Sequence, residues 1–395
     1  MNSALKGIAF AATILILARP TGALNAQTSD EKTTLGGYGS AMYQRDFNLK
    51  DATVDLERVV LFIGHDFSRK VSLVSELEME DAKVSGGEPG GEIAFEQAYV
   101  KFALNADHSL VAGLFLPRIG ILNEEHLPTS FNGNERTQVE TYILPSTWRE
   151  LGVGMYGRND LLPLTWSFAL VNGLNAAGFT HGSLIREGRF EGRNASANNL
   201  ALTGALQYFQ DQFRVQLSGY YGGTVGLPAA QAESLKLSPG PFGTPVVIGE
   251  ADASYEISGF SFRLLGTLVS IPDAEQINQA YSNNTPRSAY GFYAEGAYNL
   301  LWSASQAADR QLVVFLRLEK LDMNSSVPAN GISDGTLRQV HLIGGLGYFP
   351  LSSVVIKADV RFVTTGSPSE VILPVGFPSY QTSNTFLNVG IGFSF

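Results

Sequence analysis

The feature that most constrains this chain is a rhythm. Short segments of alternating side chains recur to its end, and the connections between them are short and long by turns. Leu56–His65 is followed by the brief DFSRK, and Val71–Glu80 by the longer DAKVSGGEPGGE. Ile93–Leu104 ends in NADHS, and Leu110–Pro117 opens a long stretch that reaches Trp148. Leu151–Gly157 closes with RNDLLP, and Leu164–Val171 leads into a long run to Asn199. Further on, FQDQ, EISG and FPLSS are short, whereas Gly222–Pro245, Ile271–Ser288, MNSSVPANGISDG and Thr364–Asn384 are long. Only LLWSASQAADR is intermediate. A two-sheet sandwich has no reason to gather its long loops at one end. A membrane-spanning antiparallel barrel does so, and the rhythm predicts an all-β barrel of about 16 strands, each about 10 residues in the membrane.

Side-chain parity points the same way, because a strand turns successive side chains to opposite faces. In the closing segment Thr385–Phe395, Leu387, Val389, Ile391, Phe393 and Phe395 share one face, and Phe386, Asn388, Gly390, Gly392 and Ser394 the other. Val354, Ile356, Ala358, Val360 and Phe362 alternate with Val355, Lys357, Asp359 and Arg361. Leu312, Val314, Leu316 and Leu318 alternate with a parity that carries Arg317 and Glu319. A basic side chain facing lipid near the midplane costs about 2–4 kcal/mol, so the charged parity must face a wet interior. The lumen wall is therefore assigned Glu76, Glu78, Lys101, Arg214, Arg263, Arg317, Glu319, Lys357, Asp359 and Arg361. Glu96 shares its parity with Ala98, Val100 and Phe102, and is expected at a rim.

At the amino terminus, Lys6 precedes an apolar run from Gly7 to Ala18, with small residues at Ala23 and Ala26. That order predicts a secretory signal over 1–26 and a single barrel domain over 27–395. The run is short for a transmembrane helix and no later segment is longer, so any membrane span must be made of strands. The destination expected of an exported barrel is the bacterial outer membrane, with lipid as its first partner, both termini periplasmic and the long connections outside. The formal net charge is −10, and removing Lys6 and Arg19 with the leader makes it two units more negative. Nucleic acid is excluded as a partner, since its binding depends on clustered cations. The absence of cysteine excludes disulfides and thiolate chemistry.

From Phe95 to Gly157 the chain carries AGLFLPRIGILNEEH, then FNGNER, then ETYILPSTWRELGVG. These stretches resemble the phosphate-selective porin O/P family, and the likeness extends more weakly through VNGLNAAG to the last strand. The terminal Phe395 also resembles the carboxy-terminal signature of bacterial outer-membrane barrels. The resemblance implies a sixteen-stranded porin, usually a homotrimer, whose third long loop folds inward to constrict the channel. Read from its residues alone, Ile119–Arg149 is the connection richest in charge, and Phe131, Tyr142, Ile143 and Trp148 give it apolar anchors. Folding onto the wall would bury the anchors and hold the charges in the water path. The constriction is accordingly assigned Glu124, Glu125, His126, Glu135, Arg136, Glu140 and Arg149. Opposed signs orient polar solutes more than they select ions. The expected activity is passive, weakly selective diffusion of small hydrophilic solutes or ions. A phosphate- or anion-selective channel is the alternative, and a barrel enzyme or a plugged structural barrel stands in another class.

Catalytic patterns fail on context. GVGMYG at Gly152–Gly157 matches the dinucleotide fingerprint but sits within a predicted strand, without the βαβ unit that fingerprint needs. GISDG at Gly331–Gly335 lacks the strand-to-helix elbow of a serine nucleophile and reads as a turn. No nucleophile has a base and an orienting partner, so neither an enzyme nor a cofactor is expected. The five histidines show no metal-ligand spacing, and no metal site is expected. The nearest approach to one is His126 beside Glu124 and Glu125. Glu76, Glu78 and Glu80 read as a wetted stretch of lumen wall.

Overall fold

The structure, a computed structural model, describes residues 32–81, 91–159, 161–303, 310–372 and 380–395. The leader assigned to 1–26 lies outside these residues. Sixteen strands follow one another: β1 (Lys32–Asp46), β2 (Asp51–Asp66), β3 (Val71–Glu80), β4 (Ile93–Ala103), β5 (His108–Phe115), β6 (Glu150–Asn159), β7 (Leu164–Asn172) and β8 (Leu200–Gln210). The second half comprises β9 (Phe213–Gly222), β10 (Val246–Ile257), β11 (Phe260–Ser270), β12 (Ser288–Asn299), β13 (Gln311–Ser326), β14 (Arg338–Leu351), β15 (Val354–Thr365) and β16 (Ser383–Ser394). Each pairs antiparallel with its sequence neighbours, and β1 pairs with β16 to close the barrel. Closure matters in hydrocarbon, where an open sheet edge would leave backbone polar groups without partners. At the seam Phe395 N donates to Gly37 O at 2.9 Å and Gly37 N donates to Phe395 O at 3.0 Å. A Cβ on Gly37 would lie 2.8 Å from the Phe395 ring, so the terminal aromatic packs where no side chain stands. No described helix is long and apolar enough to cross a membrane.

Turn chemistry divides the two ends. At one, β10 and β11 join through Ser258 and Gly259, both at positive φ, as a two-residue hairpin turn requires. At the other lie the long connections 116–149, 173–199, 223–245, 271–287 and 327–337. On β13 and β15 the two parities separate as expected. On β13, Val314, Leu316 and Leu318 are exposed on the outer face, while Phe315, Arg317 and Glu319 are buried inside. On β15, Ile356 and Phe362 face out, and Lys357, Asp359 and Arg361 face in.

Glu96 departs from its expected rim position. The β3–β4 register steps from Glu76 opposite Gln97 to Leu77 opposite Phe95, so β4 carries one extra residue there. Such a bulge reverses the facing of every residue beyond it. Glu96 and Gln97 consequently both point inward, and Glu96 is fully buried.

Short helices α1 (Ala229–Ser234) and α2 (Ala274–Tyr281) lie in the 223–245 and 271–287 connections. Leu174, Phe179 and Ile185, Val225 and Leu237, and Ile271 and Ile277 from three long connections join Ile121, Val139, Ile143 and Trp148 in one apolar cluster. The inner faces of β4 through β13 complete it with residues such as Tyr99, Val171, Tyr220, Ile248, Tyr293 and Leu321. Each large side chain buried in this way is worth about 1.5–3 kcal/mol. This half of the interior is therefore packed rather than open.

Candidate functional site

The 116–149 connection lies inside the barrel, and the charged wall grips its backbone. Arg263 donates to Ser130 O at 2.8 Å, and Lys357 donates to Phe131 O at 2.8 Å and Gly133 O at 2.7 Å. Asp359 accepts from Asn134 N at 2.8 Å and from its side-chain amide at 2.6 Å. Glu319 accepts from Val139 N at 3.1 Å, and Glu295 from the Asn132 side chain at 2.8 Å. The Lys357 ammonium also sits 4.0 Å from the centre of the Phe131 ring. Charge-assisted bonds of this kind are the strong ones, and here they fix an irregular backbone that no sheet ladder could hold. The last strand makes room for it. A Cβ on Gly390 would collide with the Asn134 side-chain carbonyl, and one on Gly392 would lie 2.6 Å from Pro128 Cβ.

Several charges of the loop have partners of opposite sign. Glu124 pairs with Arg118 at 2.7 Å, Glu125 with Arg263 at 3.5 Å, and Glu135 with Arg361 at 2.8 Å. Arg149 pairs with Glu191 at 2.9 Å and with Glu78 at 3.8 Å, and Glu78 also meets Arg58 at 3.2 Å. Arg317 stands between Glu295 at 3.2 Å and Glu319 at 3.1 Å. Arg214 pairs across strands with Asp252 at 2.7 Å, apart from the loop. Lys101 keeps the lumen parity of β4 beyond the bulge.

Glu140 organises the loop from within. Its Oε1 accepts from Ile121 N at 2.6 Å and Leu122 N at 2.7 Å, and its Oε2 accepts from the Tyr293 hydroxyl at 2.8 Å. One carboxyl thus ties the outgoing limb of the loop to its returning π-helical turn, Val139–Ile143, and to β12. Burial pushes that carboxyl up to about 7, against the opposing pull of these hydrogen bonds.

Among the described residues, cavities lie beside the loop, and two of them are lined by charged groups. The larger, of about 730 Å³, lies against β1 and β14–β16, and Glu135, Arg361, His341 and Gln44 are among its lining residues. The smaller, of about 210 Å³, is walled by Arg58, Arg136, Arg149, Arg186 and Arg189 against Glu78, Glu80, Glu92, Glu187 and Glu191.

Several assigned roles change with burial. Glu140 is 1% exposed and serves as an internal tie rather than a group in open water. Lys357, Arg317 and Glu319 are buried beneath the loop and hold its backbone. Glu76 and Glu78 are buried too, with Gln97 and Arg58 as partners, because the loop covers what would otherwise be wet wall. His126 does not join Glu124 and Glu125, which turn to Arg118 and Arg263, but faces Glu76 and Glu96. Within GVGMYG, the atoms nearest a Cβ on Gly152 belong to β7, so strand contact rather than the loop explains that glycine. Tyr38 escaped the sequence reading, which placed Glu96 at a rim. The adjacent polar pair Glu96–Gln97, interrupting an alternation, is the signal that marks the bulge.

No family model matches the sequence. Over 339 residues the chain is 30% identical to an uncharacterized protein of Aquifex aeolicus (strain VF5), covering 82% of this chain and 74% of that one. The chain belongs to the family of that protein. Among solved structures it is similar to the outer membrane channel DcaP of Acinetobacter baumannii, with a TM-score of 0.59 at 10% identity, over 93% of this chain and 99% of that one. It is also similar to OmpF of Salmonella typhi, with a TM-score of 0.56 at 12% identity, over 94% and 100% of the two chains. The anion-selective porin from Comamonas acidovorans gives a TM-score of 0.55 at 12% identity, over 92% and 100%. At these identities the likeness is one of fold: a closed sixteen-stranded antiparallel barrel shared with these channels. The resemblance to the phosphate-selective porins rests on the motif residues, and FNGNER is the stretch that the wall grips.

Proposed function

We propose that this family member is an outer-membrane porin through which small hydrophilic solutes or ions diffuse passively, with weak selectivity. The observation that carries the reading is the loop inside the barrel, tied to the wall by opposite charges and flanked by cavities of mixed sign. In the smaller cavity the arginines are faced by as many glutamates, and rings of a single sign are what select ions strongly. Charges elsewhere are screened within about 8 Å at physiological salt, so those beside the loop dominate. A leader over residues 1–26, an outer-membrane location and a homotrimer belong to the same reading, supported by the sequence order at the amino terminus and by the family resemblance.

The test is conductance of the purified protein in a planar bilayer, with reversal potential under a KCl gradient and phosphate added as a blocker. Channels with a small reversal potential and no block by submillimolar phosphate are expected. Strong anion selectivity with such a block would favour the phosphate-selective alternative. No channels, together with hydrolysis of lipid esters, would replace the porin reading by an enzymatic one.

A further inference from the structure

Outside the charge pairs that hold the loop lies a further cluster of ligating side chains. Glu76 on β3, Glu96 at the β4 bulge and His126 on the loop are all buried, and each offers one ligand atom within 4.8 Å of the others. His126 Nε2 lies 3.8 Å from Glu76 Oε2 and 3.9 Å from Glu96 Oε2. Both separations are too long for hydrogen bonds. His126 Nε2 and Glu96 Oε1 are buried with no hydrogen-bond partner at all.

The tautomer follows from the neighbours. His126 Nδ1 lies 3.3 Å from Asn123 O, and a carbonyl can only accept, so Nδ1 carries the hydrogen. Nε2 of the neutral ring then turns a lone pair toward two carboxylates. The remaining contacts resemble those that orient metal ligands. The Tyr38 hydroxyl donates to Glu96 Oε2 at 2.5 Å, and the Gln97 amide donates to Glu76 Oε2 at 2.8 Å. Two guanidiniums lie close enough to act electrostatically on Glu96, but their contacts are with other groups, Arg58 with Glu78 and Glu80, and Arg136 with the hydroxyls of Ser146 and Thr147. Buried carboxylates bear several kcal/mol of desolvation each, and a cation bound directly between them would offset it.

We propose that Glu76, Glu96 and His126 bind one divalent transition-metal ion of the zinc class, which pins the lumen loop to the β3–β4 wall. One imidazole nitrogen with two carboxylate oxygens suits zinc and its neighbours, whereas Ca²⁺ and Mg²⁺ take oxygen ligands. Bonds of about 2.0–2.2 Å require the three donors to move together by only a fraction of an ångström. The proposal stands on ligand geometry and holds whether or not the barrel conducts.

The probe is ZnCl₂, titrated calorimetrically into detergent-purified protein stripped with EDTA, with bound metal counted after gel filtration and CaCl₂ run in parallel. One Zn²⁺ per chain is expected, with Ca²⁺ much weaker. H126A and E96Q should each weaken Zn²⁺ binding roughly 10-fold or more. Zn²⁺ should also slow protease cleavage within 116–149 in the unaltered protein and not in H126A. Failure of the unaltered, folded protein to retain Zn²⁺ overturns the proposal without reference to any variant. Retention of full affinity by both H126A and E96Q overturns it as well, since the metal would then sit elsewhere. Should H126A fail to fold, H126N takes its place, because it keeps a polar side chain of similar reach.

Discussion

Glu140 offers the sharpest test of how the lumen loop is held, because two substitutions separate its hydrogen bonding from its charge. In Glu140→Gln the amide oxygen can still accept from Ile121 N and Leu122 N, and the amide nitrogen can donate to the Tyr293 hydroxyl oxygen. In Glu140→Ala both backbone N–H groups are buried without a partner, at about 1–3 kcal/mol each. Charge adds a pH dependence. A rise from the ordinary 4.5 to about 7 means that burial disfavours the ionised carboxyl by roughly 3 kcal/mol. The folded loop binds the proton more tightly than the released loop. Its stability is therefore full below pH 4.5, falls as pH rises toward 7, and is flat above. Since 1.4 kcal/mol is a factor of ten, the open population should grow about 100-fold over that window. Protease cleavage within 116–149 of the intact barrel measures it, normalised to an unstructured peptide of the same sequence. The unaltered protein should become more sensitive from pH 4.5 to 7, E140Q should stay resistant and flat, and E140A should be cut fastest throughout. E140A as resistant as E140Q, or an unaltered protein without pH dependence, would refute the reasoning.

Neutralising Glu124 and Glu125 to Gln releases Arg118 and Arg263 from their partners, so reversal potential under a KCl gradient should move toward anions. An unchanged potential would place these charges outside the ion path. Epitope tags at Asn194, in a long connection, and at Ser352, in a short turn, should label intact cells only at Asn194. Labelling at Ser352 alone would invert the orientation. Mass measurement in several mild detergents should give a trimer, and a monomer throughout would remove that part of the porin reading.

Much of the architecture is legible in the sequence because a closed antiparallel barrel obeys local rules. Connection lengths alternate, and each strand turns one face outward and the other to the interior. Leu316 and Leu318 facing out while Arg317 and Glu319 face in is a direct consequence of the two-residue period. The motif FNGNER and the apolar anchors Phe131, Ile143 and Trp148 likewise mark the loop as something other than a solvated connection. Tertiary structure alone decides what the charges do. Parity places Lys357 and Asp359 inside, but only the path of the loop turns them from water-facing wall into grips on Phe131, Gly133 and Asn134. The β4 bulge, a single extra residue in the pairing, sends Glu96 into the interior against its sequence parity. His126 then meets two carboxylates that lie far from it in the chain, on strands whose register no periodicity records. Period-two patterning tells which side of the wall a residue is on, and contacts across the lumen depend on a backbone course that hydrogen bonds to side chains, rather than local propensity, hold in place.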